Sequence, residues 1–135
     1  MHSAALRALP YLVHTNRELG LMLKGQKPLA YFASIDGMWV DCVARYLRMF
    51  DRHVEAGRLH RHIDIKPVPQ LPDRTHRSVF YALPGEEWRI GATLALLDRP
   101  GPWSGDKERE FGTLLGYEDW QNDVWMAGFP RPADH

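Results

Sequence analysis

The chain has 135 residues, room for one compact domain and too few for two ordinary ones. Hydrophobic residues make up 44% and charged residues 25%, a globular balance that excludes an intrinsically disordered chain. Lys plus Arg and Asp plus Glu each number 17, so the formal charge is zero, which argues against a protein built to grip nucleic acid or an anionic membrane.

Taken in chain order, the first element is a helix. Thr15 followed by Glu18 reads as a capping box, Leu19, Met22 and Leu23 as the apolar stripe, and Gly25 as the stop. Lys27 to Ala33 is a short apolar run that reads as a strand. The strongest pattern runs from Asp36 to Glu55, where Trp39, Val43, Tyr46, Leu47, Phe50 and Val54 recur at three- and four-residue steps and predict one face of a long helix. Gly57 ends it, and Arg52 and His53 suit its negative C-terminal end. Arg58 to Ile65 alternates and predicts a second strand.

The proline-rich stretch Lys66 to Asp73 reads as an extended surface loop, too short and too apolar for a domain linker. Ser78–Leu83 and Trp88–Leu97 flank Pro84-Gly85-Glu86-Glu87 and predict a β-hairpin. Two helices follow, Asp106 to Leu115 and Glu118 to Met126, and Phe129 with residues 130–135 reads as a frayed tail. The expected fold is a single α+β domain in the order α-β-α-β-β-β-α-α, with about four helices on a mostly antiparallel four-stranded sheet.

Charge is uneven along the chain. Arg45 to Arg77 carries eight basic against four acidic residues and four histidines, whereas Ser78 to His135 carries five against ten. The two regions either neutralise each other by packing together or form two charged faces that steer a partner or a second copy.

Two constellations carry chemistry. The run Gly116 to Trp125 packs three aromatics, two amides and three acids into ten residues. Tyr117, Trp120, Gln121, Asn122 and Trp125 are therefore the candidate binding residues: aromatics with amide hydrogen-bonders are what pockets and interfaces use. The alternative use of Trp120 and Val124 is to complete the core.

The second constellation is Arg58 to Asp64. On a strand His60, His62 and Asp64 project to one side, two imidazoles and a carboxylate of the kind a catalytic zinc prefers, with His76 and His53 able to approach. Such a site would activate water for hydrolysis. Arg58 and Arg61 oppose a cation, and together with Arg74 and Arg77 they are the candidates for an anion site, which protonated histidines would join. A solvated edge-strand face is the plainer use of the same residues.

Cys42 is the single cysteine, which excludes an internal disulfide, and its place on the long helix reads as a buried, inert thiol. There is no Gly-rich phosphate loop, no dinucleotide fingerprint and no Gly-x-Ser-x-Gly elbow, so no cofactor is expected. No run approaches the length of a membrane span, and Arg7 and Pro10 spoil the N-terminal apolar patch as a signal peptide. The expectation is a cytoplasmic binding domain that takes a protein partner or small ligand through its aromatic–acidic C-terminal helix, and that pairs with a second copy of itself. The alternative is a metal- or histidine-dependent hydrolase centred on His60, His62 and Asp64.

Overall fold

The computed structural model describes residues 9–128. Arg7 and the tail from Phe129 onward lie outside that range. Among the described residues five helices and three strands follow one another: α1 (Glu18–Leu23), β1 (Leu29–Ile35), α2 (Asp41–Glu55), β2 (His60–Val68), β3 (Leu71–Ala82), α3 (Trp88–Asp98), α4 (Gly105–Leu114) and α5 (Asp119–Gly128). The strands form one antiparallel sheet in the order β1-β3-β2.

Strand β3 is central, and its residues Ser78 to Ala82 are buried without a break because both sheet faces are covered. Alternation splits them between two cores. Val79 and Tyr81 face α1 and α2, where they meet Leu19, Met22 and Phe50. Phe80 and Ala82 face the other way, onto Ile90 and Leu96 of α3 and Leu114 of α4. The class is therefore α+β as expected, but the sheet has three strands rather than four.

The correction falls on Trp88–Leu97. It is helix α3, and the turn before it joins a strand to a helix instead of two strands. With β1 and β2 occupying both edges of β3, no edge of that strand remains for the segment after the turn to pair with as a hairpin. Ile90, Thr93 and Leu96 then bury at three-residue steps, and the Thr93 hydroxyl donates to the Arg89 carbonyl at 2.7 Å. Gly91 faces outward, where its helix cost is about 1 kcal/mol.

Three smaller differences have local causes. Helix α2 begins at Asp41, not Asp36, because the Asp36 carboxylate is held by Arg77 Nε at 2.8 Å and Thr75 Oγ1 at 2.9 Å, and Gly37 turns the chain at φ +87°. Helix α1 starts at Glu18 behind Arg17, whose side chain makes no cap bond, and the Glu18 carboxylate accepts from the Tyr46 hydroxyl.

The proline-rich stretch is not a loop but the end of the β2–β3 hairpin. Pro67 is tolerated because β2 is an edge strand, and Pro72 because β3 has only β2 beside it there.

The other helices are tied by named caps. Ser104 Oγ accepts from the Lys107 amide at the start of α4, while Arg89 donates to the carbonyls of Thr113 and Leu114 at its end. Buried Lys107 spends its ammonium on the carbonyls of Arg99, Pro100 and Gly101, closing the α3–α4 loop.

Candidate functional site

Helix α5 packs along α4 through short polar contacts, and an apolar cavity of about 170 Å³ opens between them and the segment before α1. Tyr117, Asn122 and Trp125, three of the five residues singled out above, line it. Asn122 is 5% exposed and its Nδ2 donates to Thr113 Oγ1 at 3.1 Å. Gly112 makes room for it, since a Cβ there would meet Asn122 Oδ1 at 2.2 Å. Trp125 Nε1 donates to Glu108 Oε1 at 3.1 Å, and Trp103 Nε1 donates to the other oxygen of the same carboxylate. The Glu108 charge is thus held at the cavity wall by two indoles.

Gln121 and Trp120 lie outside that cavity. Gln121 Oε1 accepts from the Glu118 amide at 2.7 Å, one half of a capping box for α5, and Gln121 lines an open groove with Arg17 and Lys24. Trp120 is 46% exposed, and its ring meets Tyr11 edge-on at 5.5 Å.

The composition of the C-terminal run could not reveal the opposite wall. Tyr11, Val13, Glu108, Phe111 and Leu115 complete the cavity. Next to it stands a group of polar side chains, half-buried His14 and Tyr117 around buried Lys27. The His14 ring stacks on Tyr117 at 3.8 Å, and the His14 amide donates to the Tyr117 hydroxyl at 2.8 Å. Lys27 Nζ lies 2.8 Å from His14 Nδ1 and donates to the Leu115 carbonyl at the end of α4.

Burial pulls Lys27 down to about 7, offset in part by Glu18. Burial and the nearby Lys27 charge take His14 down to about 3, and burial lifts the Tyr117 phenol to about 12. The one available signal was Lys27 itself, a charge at the head of an apolar strand.

These shifts predict a pH dependence. The unfolded chain binds a proton at His14 near 6.5, and the folded chain does not until about 3, so stability falls as pH drops through that interval. For Lys27 the window runs from 10.5 down to about 7, with the same sign. Urea denaturation followed from neutral pH into acid should show a smaller loss of stability for His14→Phe than for the parent chain. Equal losses would sink the assignment to His14.

The histidine strand has a different setting. His60, His62 and Asp64 do share one side of β2, in register with Ala82, Phe80 and Ser78. Each has its own neighbour: His60 Nε2 is 2.9 Å from Glu87, Asp64 is 3.9 Å from Lys66, and the His62 ring lies 6.2 Å from Phe80. His76 stands further along, opposite Lys66, and His53 is 3.2 Å from Arg58. Among the described residues no group of three or more His, Cys, Asp or Glu is placed to hold a metal ion.

The four arginines do not gather at one site, although Arg74 and Arg77 both reach Asp36. Arg61 pairs with Asp51 at 2.9 Å, Arg77 with Asp36 at 2.8 Å, and Arg74 donates to the Asp36 carbonyl. Cys42 is exposed, not buried, because α2 turns Phe50 toward the sheet and leaves its first residues outside. Among the described residues no helix is long and apolar enough to cross a membrane. Compared with protein-family models, curated proteins and solved structures, the chain matches none.

Proposed function

We propose that this chain is a binding domain for a small aromatic ligand, held in the cavity beneath α5. The observation that carries the reading is the lining: four aromatic rings, Tyr11, Phe111, Tyr117 and Trp125, around about 170 Å³, with Asn122 and Glu108 as its polar members. Size decides the ligand class. A cavity of roughly 150 Å³ takes a benzene ring, so this one takes a single ring with few substituents and excludes a nucleotide or a peptide side chain with its backbone. The Glu108 carboxylate favours a ligand carrying an N–H or O–H donor. The exposed thiol of Cys42 suits a reducing compartment, and we place the domain in the cytoplasm on that ground.

Phenol and aniline, single rings carrying an O–H and an N–H donor, are the probes. Saturation-transfer NMR should show both bound with Kd values in the micromolar to millimolar range, as ligand efficiency allows for so few atoms. Val13→Phe, which pushes a ring into the cavity from a buried wall position, should abolish the transfer while the circular dichroism stays that of the parent. Absence of transfer from either probe to the parent chain, or transfer unchanged in the variant, would overturn the proposal.

A further inference from the structure

A second cavity, of about 210 Å³, shares the Phe111, Leu115 and Tyr117 walls with the first but adds Tyr31, Glu18 and the basic pair Lys27 and His14. Lys27 is 2% exposed, and among the described residues no carboxylate forms an ion pair with it. Glu18, the acid in the lining, is engaged by the Tyr46 hydroxyl. A buried ammonium without a counter-ion is costly, and the side chain meets that cost by shedding its proton. Burial holds its pKa at about 7, so near neutral pH about half of the molecules carry a neutral amine.

The hydrogen bonds set the geometry of that amine. A neutral amine has two N–H bonds and one lone pair. The Leu115 carbonyl accepts one N–H at 2.7 Å, and His14 Nδ1, with its ring proton on Nε2, accepts the other at 2.8 Å. The position left on nitrogen is the lone pair. Aromatic walls from Tyr31, Phe111 and Tyr117 provide the apolar remainder of the cavity.

We infer that this second cavity binds a small apolar aldehyde and holds it covalently, as an imine on Lys27 Nζ. The two cavities share walls, but the reacting pair, Lys27 and His14, is absent from the lining of the cavity beneath α5, and so the site goes beyond the reading above. The step balances without a further reactant. The nitrogen lone pair forms the C–N bond as the carbonyl π bond breaks to an alkoxide. Both amine protons then reach that oxygen, and it leaves as water while the C=N bond forms. His14 Nδ1 is the group within reach to pass these protons. With a pKa near 3 it stays neutral and does not compete for the charge.

The test uses the full chain with benzaldehyde near neutral pH. Sodium cyanoborohydride reduces any imine to a stable benzylamine, and peptide mass spectrometry locates it. Of the four lysines, Lys24, Lys27, Lys66 and Lys107, the expected label is on Lys27, in roughly tenfold excess or more over Lys24 and Lys66, since the neutral fraction sets the rate. Lys66, bound to Asp98 at 2.6 Å, is held charged. Excess benzyl alcohol, which fits but has no carbonyl, should lower the Lys27 label, and prior unfolding in urea should erase the selectivity. His14→Phe should label several-fold more slowly. Labelling spread evenly over the exposed lysines and the α-amine, labelling of those groups that spares Lys27, or no label at all, would overturn the inference. None of these readings depends on a Lys27 variant folding.

Discussion

Phe50→Ala should cost about 3–5 kcal/mol of stability. Phe50 is fully buried, and its ring stacks on Tyr81 at 4.5 Å and meets Tyr46 at 5.0 Å and Phe32 at 5.4 Å. It joins α2 to the sheet. The loss exceeds the transfer term because the neighbours cannot collapse into the space. Tyr81 is tethered by its hydroxyl to Asp51 Oδ1 at 2.8 Å, and Asp51 is held in turn by Arg61. Tyr46 is tethered to the Leu19 amide at 2.9 Å. Both rings are pinned at their far ends, so a void remains. A domain of this size has about 5–15 kcal/mol in total, so urea titration should find the variant with little margin left. A loss below about 1 kcal/mol would mean that α2 is not docked through this ring.

Gly116→Ala should cost about 2–5 kcal/mol, from two sources that add. Gly116 sits at φ +102°, where an L side chain is strained by about 1–3 kcal/mol. A Cβ there would also meet Pro28 Cδ at 2.5 Å, and a proline ring cannot swing aside. Gly25→Ala separates the two. Gly25 has φ +73°, but nothing lies within 4 Å of its Cβ position, so that variant carries the strain alone. The difference between the two variants in thermal or urea unfolding measures the Pro28 contact. Equal losses would show that Pro28 yields. Because Gly116 lies between Leu115, which accepts from Lys27, and Tyr117, which stacks on His14, the same substitution should disturb both cavities.

What could be read in the residues depended on whether a local period had one meaning. Helix α2 was legible because Tyr46, Leu47, Phe50 and Val54 repeat at helical steps and meet one core. The shared face of His60, His62 and Asp64 was legible because β alternation is rigid. Helix α3 was not, because an apolar run with a glycine and a threonine suits either element until the neighbours are known. Its state was decided two elements away, when β1 and β2 took both edges of β3.

The candidate site divides in the same way. Tyr117, Asn122 and Trp125 stood out as a local cluster of aromatics and amides, and they do line a cavity. His14 and Glu108 did not stand out, since each is an ordinary polar residue in its own stretch, and Lys27 showed only as a charge at the head of an apolar run. Lys27 became distinctive only through burial against the end of α4 and the His14 ring, contacts that span 88 and 13 residues of chain.

The residues alone determined the α+β class, the amphipathic α2, the alternation of the strands and the aromatic run at α5, all of which follow from periods and propensities within a few residues. Tertiary structure alone decided the number of strands, the two-sided burial of β3, the exposure of Cys42 and the burial of the Lys27 amine. Those depend on which surfaces lose water to which others, and desolvation is a property of the packed chain.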